Sequence, residues 1–310
     1  MSNKISTREA YGRALAEIGS DKKIVVLEAD LSCCTMTKYF QDRYPERFFN
    51  IGIAECNMVG IGAGLALCGK KVFVNSFAMF SAGRAFEQIR NSIAYPNLNV
   101  TIIGTHAGIT VGKDGATHQC LEDISIMRSI PNMTVLCPAD AVETKKAVEW
   151  LKDYKGPAYL RLSRLEVENI CDEASTRIGR ATTMRDGKDA TIIACGLMVH
   201  QAMKAAEELA KQNIDVRVLN INTIKPIDRE SIIRAAKETG CIVTAEDHNI
   251  IGGLGGAVAE VIAEAYPVKM ARVGVRDSFG KSGDPAALME KYGLTSKNIV
   301  DAVKSLLESK

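Results

Sequence analysis

The chain has 310 residues, of which 46% are hydrophobic and 25% charged, and its formal net charge is +2. This length allows two domains with separate cores, and nothing in the composition indicates disorder. The near balance of charge gives no broad basic surface, so nucleic acid is not an expected partner. The nine cysteines include no CxxC pair of the kind that binds zinc, so we expect no metal site of the chain's own and a reducing compartment. We find neither a signal-peptide core nor a run of about 18 apolar residues, which indicates a cytoplasmic protein without membrane contact.

In the first half of the chain, predicted strands alternate with predicted helices. The strands are the apolar runs 24–30, 48–53, 71–77, 99–106, 133–140 and 157–164. Helical spacing or capping residues predict helices from about residue 6 to 19, after residue 55, from 83 to 94 and from 141 to 152. This alternation is typical of a mostly parallel sheet with helices on both faces.

A second alternation follows a polar segment at residues 169–187, which we interpret as a linker. Its strands are predicted at 189–196, 215–221, 241–247 and 268–274, with helices at 200–212, 229–239 and about 254–264 and two more in the tail. The predicted fold class is therefore α/β, with two doubly wound domains at residues 1–168 and 188–310.

One acidic residue, Glu55, lies inside an apolar and glycine-rich stretch, FFNIGIAECNMVGIGAGLALCG (48–69). The stretch predicts a buried strand followed by a closely packed helix, with Glu55 at their junction. A carboxyl group there costs free energy to ionise unless something pairs with it, so its pKa should rise. Such a group can pass a proton near neutral pH, although a helix-capping glutamate would give the same pattern.

Other polar or aromatic residues follow the predicted strands of the first half. They are Asp30, Phe77, His106 and Arg164. The carboxyl ends of parallel strands meet at one edge of a sheet, where ligands bind in this class of fold. The loop at 107–119 holds Asp114 and His118, and it is too polar and glycine-rich to be predicted as a core element. Together these residues predict an active site at that edge.

Several segments in order give the chain a family resemblance. They are IGIAECNMVGIGAGLA, NSFAMFSAGRAFEQIRNS, GTHAGITVGKDGATHQ, IPNMTVLCPAD and AEDHNIIGGLGGAVAE. With them, essentially the whole chain resembles the C-terminal half of transketolase, and more closely the C-terminal subunit of split, two-chain transketolases. The resemblance implies a pyrimidine-binding domain followed by a transketolase C-terminal domain.

The resemblance implies that thiamine diphosphate is the cofactor and that it is bound between two chains. Glu55 matches the glutamate that hydrogen-bonds the pyrimidine ring nitrogen and promotes the imino tautomer. Phe77 and Phe80 match aromatic residues that pack on the aminopyrimidine ring. Asp30 and Leu31 match positions that contact the thiazolium side.

Substrate-binding residues are implied in the same way. His106, Asp114 and His118 match residues that contact the sugar's carbonyl and hydroxyl groups, and the two histidines join Glu55 as catalytic residues. Arg8 and Arg164 match arginines that hold the substrate phosphate, for which a planar guanidinium is well suited. The implied reaction moves a two-carbon ketol unit from a ketose phosphate to an aldose phosphate.

The chain lacks the motif that binds the diphosphate and Mg²⁺ in this superfamily, GDG followed some 25 to 30 residues later by Asn. The resemblance therefore implies a separate N-terminal subunit that binds the diphosphate and Mg²⁺. The expected assembly is an α2β2 heterotetramer, built on a dimer of pyrimidine-binding domains.

Three positions depart from the family pattern. Gly83 stands where many transketolases have a third aromatic, Cys34 where some have a hydroxyl, and Cys56 where Gln or His is common. Related thiamine enzymes remain alternatives: the beta subunit of a 2-oxo acid dehydrogenase, a deoxyxylulose phosphate synthase, or a transketolase for an unusual sugar phosphate. A non-catalytic scaffold is the alternative of another class, but it predicts loss of the polar residues that are present.

Overall fold

The computed structural model describes residues 4–309. Its strands are β1 (Ile5–Ser6), β2 (Ile24–Glu28), β3 (Phe48–Asn50), β4 (Lys71–Phe77), β5 (Val100–Thr105), β6 (Thr134–Leu136), β7 (Ala158–Arg161), β8 (Glu166–Val167), β9 (Thr182–Arg185), β10 (Ala190–Ala194), β11 (Val216–Asn220), β12 (Thr223–Lys225), β13 (Cys241–Asn249) and β14 (Lys269–Val275). Its α-helices are α1 (Thr7–Ile18), α2 (Ser32–Thr35), α3 (Lys38–Arg43), α4 (Glu55–Leu67), α5 (Phe86–Gln88), α6 (Asp123–Ser129), α7 (Ala141–Asp153), α8 (Met198–Ala210), α9 (Arg229–Thr239), α10 (Leu254–Ala265), α11 (Pro285–Lys291) and α12 (Ser296–Glu308). Short 3₁₀ segments cover Pro45–Arg47 and Ile109–Asp114.

The N-terminal domain is built on a seven-stranded sheet in the order β12-β6-β7-β5-β4-β2-β3. All neighbouring pairs from β6 to β3 are parallel, as the alternation of strands and helices predicts. Apolar residues of α1 and α7 pack on one face of this sheet, and those of α4 and α6 pack on the other. Because the central strands are parallel, their carboxyl ends meet at one edge of the sheet.

The C-terminal domain is built on a five-stranded sheet in the order β14-β13-β10-β11-β9. Its strands are parallel except for β9, which pairs antiparallel with β11. Because β9 falls at Thr182–Arg185, the predicted linker at 169–187 is not unstructured throughout. Its last residues belong to the second sheet.

The two domains share more than a linker. Strand β12 follows β11 along the chain, but it pairs antiparallel with β6 and so becomes an edge strand of the first sheet. One hydrophobic cluster runs through both domains and includes Val135 of β6, Ile224 of β12 and Leu219 of β11. Apolar burial therefore fixes the position of one domain on the other. Across residues 4–309, no helix is both long and apolar enough to cross a membrane.

Two predicted elements differ from the structure. The strand predicted at 48–53 ends at Asn50, and it lies at the edge of the sheet, where Phe49 and Ile53 are exposed. The helix predicted at 83–94 is interrupted, because π-helical turns at Met79–Arg84 and Ile89–Ala94 flank the short α5. π-Helical turns inside helical segments are frequent at functional sites.

Candidate active site

Glu55 begins α4 and is almost fully buried, with 2% of its side chain exposed. Its Oε2 accepts a hydrogen bond from Nη1 of Arg84 at 2.8 Å. A buried carboxylate without a partner would be costly, and the guanidinium together with the helix N-terminus offsets that cost. The described hydrogen bond of the Glu55 side chain goes to Arg84 and not to a backbone N–H group of the helix. This geometry differs from that of a helix-capping glutamate, whose side chain binds the backbone N–H groups.

Phe77 and Phe80 lie side by side, at the end of β4 and in the π-helical turn that follows it. Their ring centroids are 6.0 Å apart and the rings are nearly parallel, at 18°. The His106 ring stacks on Phe77 at 3.9 Å, and the His118 ring meets Phe80 edge-on at 5.2 Å. Four of the residues singled out from the sequence therefore form one aromatic cluster.

His106 follows β5 with a backbone φ of 55°, which is uncommon for a residue with a side chain. Burial, together with the charges of Arg8 and Arg164, lowers the pKa of His106 to about 3. Its Nδ1 is 2.9 Å from Thr105 Oγ1, and its Nε2 is 3.2 Å from Nη1 of Arg8. His106 is therefore a neutral imidazole at physiological pH, held by partners at both ring nitrogens.

Arg8 and Arg164 both lie near His106, and the positive charge of each lowers its pKa. Nη1 of Arg8 donates to the backbone carbonyl of Cys34 at 2.8 Å, while its buried Nε has no hydrogen-bond partner among residues 4–309. Nη1 of Arg164 lies 3.4 Å from Asp114 Oδ2. The bond from Arg8 to Cys34 goes to the backbone carbonyl, which a residue of any type supplies.

Asp30 and Leu31 lie where β2 ends and α2 begins. Asp30 has φ 62° and exchanges hydrogen bonds with Asn50 at the end of β3, and it is exposed. The Leu31 carbonyl accepts the backbone N–H groups of Cys34 and Thr35. This turn is linked to Arg8 through Cys34, whose carbonyl accepts a hydrogen bond from the Arg8 guanidinium. No described contact joins Asp30 to the aromatic cluster.

The 107–119 loop is not the surface loop that its polarity predicts. Its residues 107–112 are buried, and Ile109 belongs to the hydrophobic core of the C-terminal domain. The Ile109 backbone N–H and the Thr110 hydroxyl both donate to the carboxylate of Asp247, at 2.9 and 3.3 Å. A side chain from the other domain therefore supplies the hydrogen bonds that allow this polar segment to be buried.

Sequence reasoning missed three charged residues that shape the site. Arg84 reaches Glu55, Asp247 fixes the loop, and Glu28 lies buried at the end of β2 beneath Asp30. Glu28 accepts hydrogen bonds from the hydroxyls of Thr35 and Thr37 at 2.7 and 2.6 Å, and burial raises its pKa to about 7. An acidic residue ending the apolar run IVVLE was a signal available in the sequence for Glu28.

Comparison with known proteins agrees with this two-domain architecture. Residues 3–169 match the family model "Transketolase, pyrimidine binding domain", and residues 179–299 match "Transketolase, C-terminal domain". These matches place the chain, with its two α/β domains, in a thiamine-dependent class of enzymes. The chain belongs to the transketolase family.

Several relatives are similar along nearly their whole length. The chain is 50% identical to the putative transketolase C-terminal section of Methanocaldococcus jannaschii, covering 96% of this chain and 94% of the relative. It is 45% identical to the 6-deoxy-6-sulfo-D-fructose transketolase subunit SqwH of a Clostridium species, covering 98% and 95%. A structure titled "Split gene transketolase, inactive beta4 tetramer" superposes with a TM-score of 0.92 at 51% identity, covering 98% and 99%. By contrast, the chain spans 49% of mouse transketolase, at 40% identity.

The transketolase family uses thiamine diphosphate, and the residues present fit the aminopyrimidine part of that cofactor. A buried carboxylate suits a ring nitrogen that carries a proton, and stacked aromatic rings suit the faces of a planar heterocycle. Oε1 of Glu55 accepts no hydrogen bond within residues 4–309, so one carboxylate oxygen is free for such a partner. No three His, Cys, Asp or Glu side chains of this described part lie close enough together to hold a metal ion.

Proposed function

We propose that the chain is the C-terminal half of a thiamine diphosphate-dependent transketolase that moves a two-carbon ketol unit from a ketose phosphate to an aldose phosphate. The observation that carries the proposal is the convergence of a buried carboxylate, stacked aromatics, a neutral histidine and two arginines at one sheet edge. A division between the domains at residues 169–187 and a cytoplasmic location belong to the same proposal.

When bound, thiamine diphosphate would supply a nucleophilic thiazolium carbon for reaction at the ketose carbonyl. Glu55 would hold the pyrimidine ring nitrogen, and Phe77 and Phe80 would pack on that ring. Asp30 and Leu31 would contact the thiazolium side. Glu55, Phe77 and Phe80 would bind and orient the pyrimidine ring, and the buried Glu55 and Phe77 would exclude water from it.

On the substrate side, the neutral His106 can donate or accept a hydrogen bond at the sugar's oxygens without carrying charge. His118, which meets both phenylalanine rings edge-on, would share the movement of hydroxyl protons, and Asp114 would bind a hydroxyl. Arg8 and Arg164 would hold the terminal phosphate through guanidinium N–H donors.

The partner is proposed to be an N-terminal transketolase chain that binds the diphosphate and Mg²⁺. An apolar surface on the N-terminal domain supports an interface beside Glu55: Ile53, Ile61 and Leu67 are exposed there. A Cβ added at Gly60 or Gly64 on the same helix would meet nothing within 4 Å. Large exposed apolar patches mark protein interfaces. We propose that pyrimidine-binding domains also pair with one another, giving an α2β2 heterotetramer.

For the identity of the sugar substrate, the relatives suggest a specific alternative to a pentose phosphate. The relative from Clostridium is named for a sulfonated sugar, and a relative of 39% identity from Phocaeicola vulgatus is named for apulose 4-phosphate. A transketolase for an unusual sugar would use the same Glu55 and aromatic residues. Phosphate and sulfonate are both anions with several acceptor oxygens, so the arginine pair suits either.

The test is ketol transfer from xylulose 5-phosphate to ribose 5-phosphate, with thiamine diphosphate and Mg²⁺. It compares this chain alone, the N-terminal subunit encoded beside it alone, and the mixture. Activity in the mixture and in neither chain alone supports the proposal. A mixture that binds the cofactor but transfers nothing would refute the pentose substrates, and a sulfonated ketose would be tested next. Full activity of this chain alone would refute the need for a partner.

A further inference from the structure

Arg84 is the residue that touches Glu55, and nothing in the sequence pattern assigned it a role. It ends the π-helical turn Met79–Arg84, and its Nη1 lies 2.8 Å from Oε2 of the carboxylate. The same guanidinium lies over the ring of Phe80, with 4.7 Å between its central carbon and the ring centroid. Arg84 thus contacts two residues proposed to bind the aminopyrimidine.

The backbone of Arg84 is tied to the same helix. The Cys56 thiol donates to the Arg84 carbonyl at 3.5 Å, next to Glu55 on α4. About half of the Arg84 side chain is exposed, whereas Glu55 is buried. The guanidinium therefore lies at the mouth of the site, with Glu55 beneath it.

Gly83 precedes Arg84 in the π-helical turn, and a Cβ there would meet only the flexible end of the Met79 side chain. The planar guanidinium of Arg84 is the group that lies over the ring of Phe80. Arginine can stack on an aromatic face and hydrogen-bond a carboxylate at the same time.

We propose that Arg84 is a positioning residue for thiamine diphosphate: it binds one oxygen of Glu55, fixes the orientation of the carboxyl group and leaves the other oxygen for the pyrimidine ring nitrogen. The inference rests on the proposed function. A charge-assisted bond restricts the rotation of the Glu55 carboxyl group, and an oriented carboxylate binds the ring without a reorganisation cost.

The test uses Arg84→Met and Arg84→Lys in the two-chain protein with Mg²⁺. The readouts are the Kd of thiamine diphosphate by calorimetry and, without sugar, the exchange rate of the thiazolium C2 proton for deuterium by acid quench and NMR. We expect Arg84→Met to raise Kd about 10- to 100-fold and to slow exchange, because a hydrogen bond to a charged group is lost. Arg84→Lys should recover part of the loss, since it keeps the charge but not the planar fork.

The matched control is Arg90→Met, on the neighbouring π-helical turn, where the Arg90 guanidinium bonds Asn91. It should change neither readout. In a Glu55→Gln background, Arg84→Met should add little further loss of affinity, because the two residues act as one unit. Additive losses would indicate a merely structural role and overturn the inference.

Other outcomes are equally decisive. An unchanged Kd in Arg84→Met overturns the inference, and a lower Kd would show that Arg84 obstructs the cofactor. If the wild-type mixture binds no thiamine diphosphate, the proposed function fails and this inference fails with it. If Arg84→Met does not fold, Arg84→Lys against Arg84→Gln gives the same comparison, and equal Kd values for those two variants would overturn the inference.

Discussion

Two arginines three residues apart, Arg161 and Arg164, differ in burial: the first is enclosed by the protein and the second is open to solvent. Arg161 donates from Nε to Asp123 at 2.8 Å, and the two side chains are 7% and 0% exposed. Its Nη2 also donates to the backbone carbonyl of Asp247 in the C-terminal domain. Arg164 lies 3.4 Å from Asp114, and these side chains are 45% and 38% exposed. Arg161 therefore joins the two domains through its bond to Asp247, whereas the half-exposed Arg164 has donors left for a ligand.

The same contrast applies to the carboxylates. Oδ2 of Asp123 accepts from both Arg161 and the hydroxyl of Tyr159, and both of these donors are themselves buried. Glu55 is nearly as deeply buried, but its partner Arg84 is half exposed. This difference in the exposure of their partners supports the proposal that Glu55 faces a ligand.

The largest expected effect is that of Glu55→Gln. The amide keeps the shape of the side chain but cannot carry the negative charge or accept the proton, so we expect ketol transfer to fall about 100- to 10,000-fold. The measurement is kcat in the reconstituted two-chain enzyme, with the melting temperature of the isolated chain as a control for folding. Unchanged turnover would remove Glu55 from the mechanism and make it resemble Asp123.

Arg161→Met should give the largest loss of stability. It leaves the buried Asp123 without its cation, and breaking one side of a buried ion pair costs about 3–5 kcal/mol. The free energy of unfolding from denaturant titration of the isolated chain measures this loss. A loss below about 1 kcal/mol would mean that the pair behaves like an exposed one.

The third prediction concerns the pH dependence of stability that comes from the buried carboxyl group of Glu28. This group has hydroxyl partners and, within residues 4–309, no salt bridge. Burial raises its pKa from the ordinary 4.5 to about 7, so between these pH values the folded chain holds a proton that the unfolded chain has released. Stability from this group is therefore lost as pH rises through the window, by about 2–3 kcal/mol. Comparing the free energy of unfolding of wild type and Glu28→Gln at pH 5 and pH 8 isolates this carboxyl. Equal pH dependence in the two proteins would contradict the raised pKa.

Arg164→Ala should have the smallest effect on the fold and a selective effect on substrate. The exposed pair with Asp114 contributes less than about 1 kcal/mol to stability. Loss of an arginine from a phosphate site should raise KM for phosphorylated sugars about 10-fold. Steady-state kinetics with a phosphorylated and an unphosphorylated donor separates the two roles. An equal rise in KM for both donors would argue against phosphate binding.

Much of the fold follows from local pattern. Apolar runs and helical spacing predict most strands and helices, because side-chain periodicity is set within a few residues. The order of strand ends also predicts that Glu55, Phe77, His106 and Arg164 gather at one edge, since parallel strands leave their carboxyl ends on the same side. The aromatic cluster of Phe77, Phe80, His106 and His118 agrees with that expectation. The catalytic and binding roles of these residues stay predictions.

Other features depend on residues far apart in the chain. Residues 107–112 can be buried because Asp247, more than 130 residues later, accepts a hydrogen bond from the backbone of Ile109. Strand β12 leaves its own domain and pairs with β6, a contact that no local pattern encodes. Arg84 meets Glu55 only because α4 and the π-helical turn after β4 pack together.

The sequence by itself determined the element types, the two α/β domains and the chemical groups available at the strand ends, because these depend on short-range spacing and residue type. Only the tertiary structure decided which charges are paired and which are open to a ligand. Burial and the distance between partners set that choice, as the different surroundings of Arg161 and Arg164 demonstrate.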